Sequence, residues 1–157
     1  MIFVFDTNVL SQMFHSYYRG RFKTLWSNFD NLVEGGRVTS TREAFNESQG
    51  DRIPALREWA KENKESIFPT PNADEAIWVS KIFAVRHFQH VIEQKKILKG
   101  GFNADPFIVA RAAALNGTVV TNESHPLNGA KIPNICEHFK IPCVNFEGFM
   151  EVESWTF

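Results

Sequence analysis

Short apolar runs separated by helix-spaced segments predict an α/β fold, a three-layer α/β/α sandwich around a central parallel sheet. Three observations carry this. Residues 2–5 (Ile-Phe-Val-Phe) and 118–121 (Thr-Val-Val-Thr) are aromatic or β-branched without a polar interruption, as strands buried on both faces must be. Between the apolar runs, hydrophobic residues recur at the period of an amphipathic helix. Both runs end in polar groups, Asp6-Thr7-Asn8 and Asn122-Glu123-Ser124. In an open parallel sheet the carboxyl ends of the strands form the edge that carries function.

With 157 residues, 43% of them hydrophobic, the chain suits a single domain over 1–157 with a sizeable core. The 15 phenylalanines make that core aromatic-rich. A net charge of −1 argues against nucleic-acid binding by overall charge, while leaving room for a local basic face beside an acidic pocket. Cys136 and Cys143 have neither metal-finger nor CxxC spacing and read as reduced thiols of a cytoplasmic protein. No apolar run approaches the roughly 20 residues of a membrane span. No signal peptide is expected, because Asp6 interrupts the first apolar run and no basic region precedes it.

In chain order, Val9, Leu10 and Met13 mark a short helix after the first strand. Residues 16–21 form a turn with aromatic and basic tips. Phe22, Leu25, Trp26, Phe29, Leu32 and Val33 mark a second helix, stopped at Gly35-Gly36. Residues 37–39 are a short strand. Ser40 with Glu43 has the spacing of a capping box, and Glu47 lies one turn beyond Glu43 on the same face. Residues 54–64 form an outer helix. Asn72 or Asp74 caps the next, which carries Ile77, Trp78 and Ile82, and the pattern resumes through Phe88, Val91 and Ile92 to Gly100-Gly101. Asp105-Pro106 reads as an N-cap followed by proline at the first helical position, with Asn116-Gly117 as the C-cap. The strand at 118–121, a polar loop, a helix at 132–139, a strand at 142–144 and a helix at 146–152 complete the chain.

Four acids stand at comparable places. Asp6 and Glu123 end strands, Glu47 lies on the helix after the second strand, and Asp105 opens a helix. Strand carboxyl ends and helix amino ends share one edge of such a sheet, so the four can converge. Two like charges ~4 Å apart repel by about 4 kcal/mol at an effective dielectric near 20. The group must therefore partly protonate or bind a hard cation. Oxygen donors without Cys or His favour Mg²⁺, or Mn²⁺, over Zn²⁺. Each acid also has a plainer reading: Asp6 and Asp105 as helix caps, Glu47 and Glu123 as surface groups, and Glu43 as the rival of Glu47. His87 and His90 are three apart on a helix and lack a third ligand, so they read as surface or partner-contact residues.

The buried strand ending in Asp-Thr-Asn-Val-Leu, the mid-chain helix acid, Asp105 opening an Ala-rich helix and Thr-Val-Val-Thr-Asn-Glu together resemble the PIN domain. The resemblance spans nearly the whole chain. It is closest to the VapC-like proteins of bacteria and archaea, through Gly-Arg-Val, Ser40 and Glu47 and the ending Ile-Pro-x-x-Cys…Pro-Cys-Val-Asn at 132–145. It implies a Mg²⁺-dependent endoribonuclease that hydrolyses RNA phosphodiesters through a metal-activated water, commonly the toxin of a type II toxin–antitoxin pair. Asp6, Glu47 and Asp105 match the family's three central acids and metal ligands. Glu123 matches the fourth, where many members have Asp. Thr7, Asn8, Ser40, Thr121 and Asn122 match polar positions that orient ligands or water.

The implied partners are an RNA substrate, a cognate antitoxin and, through the Phe-rich helices, a second copy in a homodimer; no membrane is expected. RNA at an acidic pocket needs a basic rim. Arg19, Arg21, Lys23, Arg86, Lys95, Lys96 and Lys99 are the candidates, with Tyr17, Tyr18 or Phe102 to stack bases. The alternatives are a catalytically inactive RNA- or protein-binding module and a structure-specific DNA nuclease. A phosphatase using Asp6 as nucleophile is disfavoured because position 8 is Asn, and a nucleotide-cofactor enzyme because no Gly-rich loop follows the first strand.

Overall fold

The computed structural model describes residues 1–101 and 103–157. Phe102, a proposed base-stacking residue, lies outside them. The chain runs β1 (Phe3–Phe5), α1 (Thr7–Ser16), α2 (Lys23–Glu34), β2 (Val38–Thr39), α3 (Arg42–Ser48), α4 (Pro54–Glu62), α5 (Lys64–Ile67), α6 (Ala73–Phe83), α7 (Arg86–Leu98), α8 (Asp105–Leu115), β3 (Thr118–Val120), α9 (Ile132–Phe139), β4 (Cys143–Val144) and α10 (Phe146–Val152). The four strands form one parallel sheet in the order β2-β1-β3-β4. Phe3 pairs with Val38 on one side and Thr118 on the other, and Val120 pairs with Val144. This is the α/β/α sandwich around a central parallel sheet that the sequence predicts.

Right-handed crossovers explain the layers. The β1-to-β2 connection moves one way across the sheet and the later ones the other, so their helices cover opposite faces. Phe3 and Phe5 point to one face, two residues apart in an extended chain. Phe3 meets Phe149 of α10 edge-on at 4.8 Å between centroids, and Phe5 meets Phe29 of α2 at 5.5 Å and Phe149 at 5.1 Å. All three β1 residues are fully buried. Burying such a side chain contributes about 1.5–3 kcal/mol, which is how strands this short are held. On the other face α8 packs on α6, α9 and β1. Its Ala-rich sequence permits that close approach: Ala104, Ala110 and Ala112 have no exposed surface.

Local details differ from the sequence reading in three places. Ser40 is not the cap of α3. Thr41 is, its side chain accepting from Ala44 N at 3.1 Å, while the Ser40 hydroxyl donates to Phe5 O at 2.7 Å across the sheet edge. A serine directly after a strand is better placed to satisfy the neighbouring strand's last carbonyl than to cap a helix two residues on. Asp105 is the first residue of α8 rather than its N-cap, which is Ala104, so its carboxylate is not used in capping. Asn116, in the left-handed conformation at φ 53°, is itself the C-cap of α8, and Gly117 is required by contact instead. A Cβ there would lie 2.9 Å from the Ile2 carbonyl oxygen.

Candidate metal centre

Every strand runs the same way, so Asp6, Ser40, Thr121 and Asn145 emerge at one edge. Asp6 is held on both sides. Its Oδ1 accepts from Thr7 N at 2.8 Å, which caps α1, and its Oδ2 accepts from the Thr121 hydroxyl at 2.8 Å. Asn8 ties the same loops together: its Nδ2 donates to Thr121 Oγ1 at 3.4 Å and its Oδ1 accepts from Asn122 N at 3.2 Å. Asn122 Oδ1 accepts from Phe146 N at 3.1 Å, and its amide donates to Gln12. Thr7 donates more remotely, to Ala44 O at 3.5 Å. The expected supporting residues Thr7, Asn8, Thr121 and Asn122 therefore surround Asp6. Ser40 braces the end of β1.

The acids come to the same neighbourhood. Asp6 is 4% exposed and Asp105 2%. Burial, then the charges of Asp105 and Glu123, push the Asp6 carboxyl up to about 8; the Thr121 hydroxyl pulls it down and Glu47 adds to the rise. Glu47 reaches across from α3 to accept from Ala104 N at 2.9 Å, at the amino end of α8. Glu123 accepts from Ile132 N at 2.8 Å at the start of α9. Glu43, the rival acid, faces elsewhere. It pairs with Arg42 at 2.6 Å, and its Oε2 is buried without a hydrogen-bond partner.

The unexpected member is Lys95. Its ammonium lies 2.7 Å from Asp105 Oδ2 and 3.7 Å from Glu123 Oε1. Burial lowers its pKa, but Asp105, by charge and hydrogen bond, with Glu123 and Asp6, raises it above the ordinary lysine value. Lys99, one turn on, reaches Glu47 Oε1 at 3.5 Å. Both were expected on a basic rim; Lys95 instead stands among the acids. Arg19 is also corrected as a rim cation, since it pairs with Asp30 at 2.8 Å and covers the Trp26 ring at 4.1 Å. Tyr17 packs on Phe22 and Phe146, whereas Tyr18 is exposed. His87 meets the carbonyl oxygens of Asn128 and Gly129.

Sequence reasoning also missed Asn103. It accepts from Asp105 N at 3.1 Å and donates to Ile92 O at 3.1 Å, fixing Asp105 against α7. Its Asn-x-Asp spacing before a helix start was the available signal. Two open depressions flank the acids: one of about 610 Å³ that includes Asn8, Glu47 and Lys99, and one of about 360 Å³ that includes Thr121, Glu123 and Cys143. A roomier depression of about 710 Å³, with Phe14, Trp26 and Trp59, contains none of the four acids. Cys136 and Cys143 are free thiols.

Among the described residues, no group of three or more His, Cys, Asp or Glu side chains is arranged so that it could hold a metal ion. The donor chemistry nonetheless fits a hard divalent cation. The four acids present oxygen only, and the most buried strand-end carboxyl, Asp6, has ordered hydrogen-bond donors but no lysine or arginine beside it among the described ion pairs. No helix among the described residues is long and apolar enough to cross a membrane.

The family model described as "Domain of unknown function (DUF4411)" matches residues 3–157. No curated protein matches the chain. Among solved structures, the crystal structure of VapBC2 from Rickettsia felis bound to a DNA fragment from their promoter is similar. Its TM-score is 0.54 at 16% identity, over 93% of this chain and 99% of that one. At that identity the likeness is one of fold.

Proposed function

The chain belongs to the DUF4411 family, and from that premise we propose that it is a Mg²⁺- or Mn²⁺-dependent endoribonuclease hydrolysing RNA phosphodiester bonds. The observation that carries this reading is Asp6, a carboxyl buried at the carboxyl end of β1 and driven up by burial and by three other acids. Such a group is costly to keep in a core, and perturbed groups of this kind concentrate at functional sites.

Asp6, Asp105 and Glu47 would hold the cation, with Glu123 at the margin. Bound there, Mg²⁺ supplies Lewis acidity: it offsets charge on a phosphate and makes nearby water more acidic. The chain's own groups do the rest. Thr121 and Thr7 N fix the Asp6 oxygens, Asn103 sets Asp105 at the head of α8, and Glu123, tied to Ile132 N, is placed to orient water or take its proton. The depression beside Asn8, Glu47 and Lys99 gives an RNA strand access, with Lys99 available to its phosphates. The likeness in fold to VapBC2 and the sequence resemblance to VapC-like PIN proteins support a role as the toxin of a toxin–antitoxin pair, with an antitoxin as partner.

The test is RNA cleavage by the wild type and Asp6→Asn, each in Mg²⁺ and in EDTA. We expect cleavage only by the wild type in Mg²⁺, with Asp6→Asn slower by about a thousandfold or more, the loss of roughly 4 kcal/mol of transition-state stabilisation. Cleavage that survives EDTA or the substitution overturns the reading. A matched DNA substrate, expected to resist, decides between RNA and DNA.

A further inference from the structure

We propose that Lys95 is an exchangeable internal counter-ion, occupying the acid cluster in the metal-free protein and leaving it when a divalent cation binds. The inference rests on the reading of the acids as a cation site, and deepens it by naming what holds that site between metal-bound states.

The geometry is specific. Lys95 and Lys99 are four residues apart, so they share one face of α7. Each reaches an acid contributed by another part of the chain: Lys95 meets Asp105 and Glu123, and Lys99 meets Glu47. One ammonium thus bridges two of the proposed site's acids, and its contact with Asp105 Oδ2 uses an oxygen that an incoming ion would claim. A divalent ion brings twice the charge to the same oxygens and repels the ammonium it joins. A lysine stem has four rotatable bonds, so the head can withdraw without moving the helix axis.

The rest of α7 is built to let this happen. Its buried side chains, Phe88 and Ile92, lie in its first two turns. Its last turn carries Ile97 and Leu98, 79% and 85% exposed, and leads into Gly100 and Gly101, both at positive φ. Among the described residues, no buried apolar side chain lies in this last turn. Among the described residues, the ion pairs that tie its last turns to the body of the protein are those of Lys95 and Lys99. Exchange of Lys95 for a cation therefore removes part of what ties this helix end down, leaving the Lys99–Glu47 pair.

The test uses the full chain and has two readouts that do not depend on catalysis. In the first, wild-type protein is acetylated with acetic anhydride, with and without saturating Mn²⁺, and each lysine is followed by mass spectrometry. Labelling of Lys95 is expected to rise several-fold with Mn²⁺ while that of Lys96, on another face of the helix, stays unchanged. In the second, Mn²⁺ is titrated calorimetrically into the wild type, Lys95→Gln and Lys96→Gln. Removal of the resident charge is expected to tighten binding by about tenfold or more in Lys95→Gln, and an exposed charge to change it by no more than about twofold in Lys96→Gln.

Mn²⁺ binding to the wild type with Lys95 still protected, or binding no tighter in Lys95→Gln, overturns the exchange and leaves the cation site standing. No Mn²⁺ binding by the wild type and Lys95→Gln alike overturns both.

Discussion

Two buried groups of charges hold this fold together at different points, and they are built on opposite plans. On the α6–α8 side, Glu75 and Arg111 form a closed pair. The Glu75 carboxylate also completes a capping box, accepting from Asn72 N at 2.9 Å, and the guanidinium donates to Thr39 Oγ1 at 2.9 Å. One acid meets one base, their polar atoms are matched, and a helix pair is fastened to β2. At the strand edge, three acids meet two ammonium groups, and Asp6, which pairs with neither, is raised by the three like charges. The first group is complete with what the chain provides. The second has more acids than bases, an excess that a proton on Asp6 relieves in the metal-free protein and that the proposed cation would balance. A buried ion pair alone therefore says little about function; the imbalance does.

The sharpest way to break this contrast is to open the closed pair. Arg111→Met leaves Glu75 buried and unpaired, and should lower the unfolding free energy by about 3–5 kcal/mol, measured by urea denaturation. A loss below about 1 kcal/mol would place Glu75 and Arg111 with weak surface pairs.

At the open cluster the sign should reverse. In EDTA the folded protein holds a proton on Asp6 up to about pH 8, whereas the unfolded chain releases it near 3.8. The native state then binds more protons between those values, so this group's contribution is complete below pH 4 and is lost as pH rises through 8. Asp6→Asn removes that penalty. It should stabilise the metal-free protein at pH 8.5 by about 3 kcal/mol. The gain should fall to about half near pH 5 and vanish below about pH 4. Equal stabilisation at both pH values would remove the charge imbalance from the account.

A smaller effect separates the two glutamates of α3. Glu47→Gln should weaken Mn²⁺ binding by about 10–100-fold, as loss of a ligand or its direct support does, and Glu43→Gln by less than about threefold. The reverse order would move the cluster one turn along the helix. The smallest effect belongs to the exposed Arg19–Asp30 pair, both partners 43% exposed. Arg19→Gln should cost no more than about 1 kcal/mol, with lost stacking on Trp26 contributing part of it.

Much of this was legible in the sequence, for a physical reason. Strands buried on both faces leave apolar runs of a few residues, and the polar groups after each run mark the carboxyl edge of the sheet; Asp6 and Glu123 were identifiable on that ground, Thr121 only through the family resemblance. Proline and glycine punctuation marked most helix ends. What sequence could not carry was anything decided by side-chain reach across elements. Lys95 looks like any solvated helix lysine until α7 is laid beside α8. Arg111 and Glu75 are 36 positions apart with no pattern joining them. Glu43 and Glu47 share a helix face, and only the position of Ala104 N selects between them. Ser40 and Thr41 differ by one residue, and the carbonyl of Phe5 decides which of them caps the helix.

The hydrogen bonds already made by the acids constrain ion choice. Asp6 has a donor on each oxygen, Glu47 commits Oε1 to Ala104 N, and Glu123 commits Oε2 to Ile132 N. At the proposed cation site, Glu47 and Glu123 would therefore each offer an ion one uncommitted oxygen rather than a chelating pair. Ca²⁺, which takes six to eight oxygens and readily accepts bidentate carboxylates, is poorly served by such a ring, whereas a smaller octahedral ion that keeps several waters is well served. If the proposed cation site holds, the hydrogen bonds that fix these acids would also act as a filter on ionic radius.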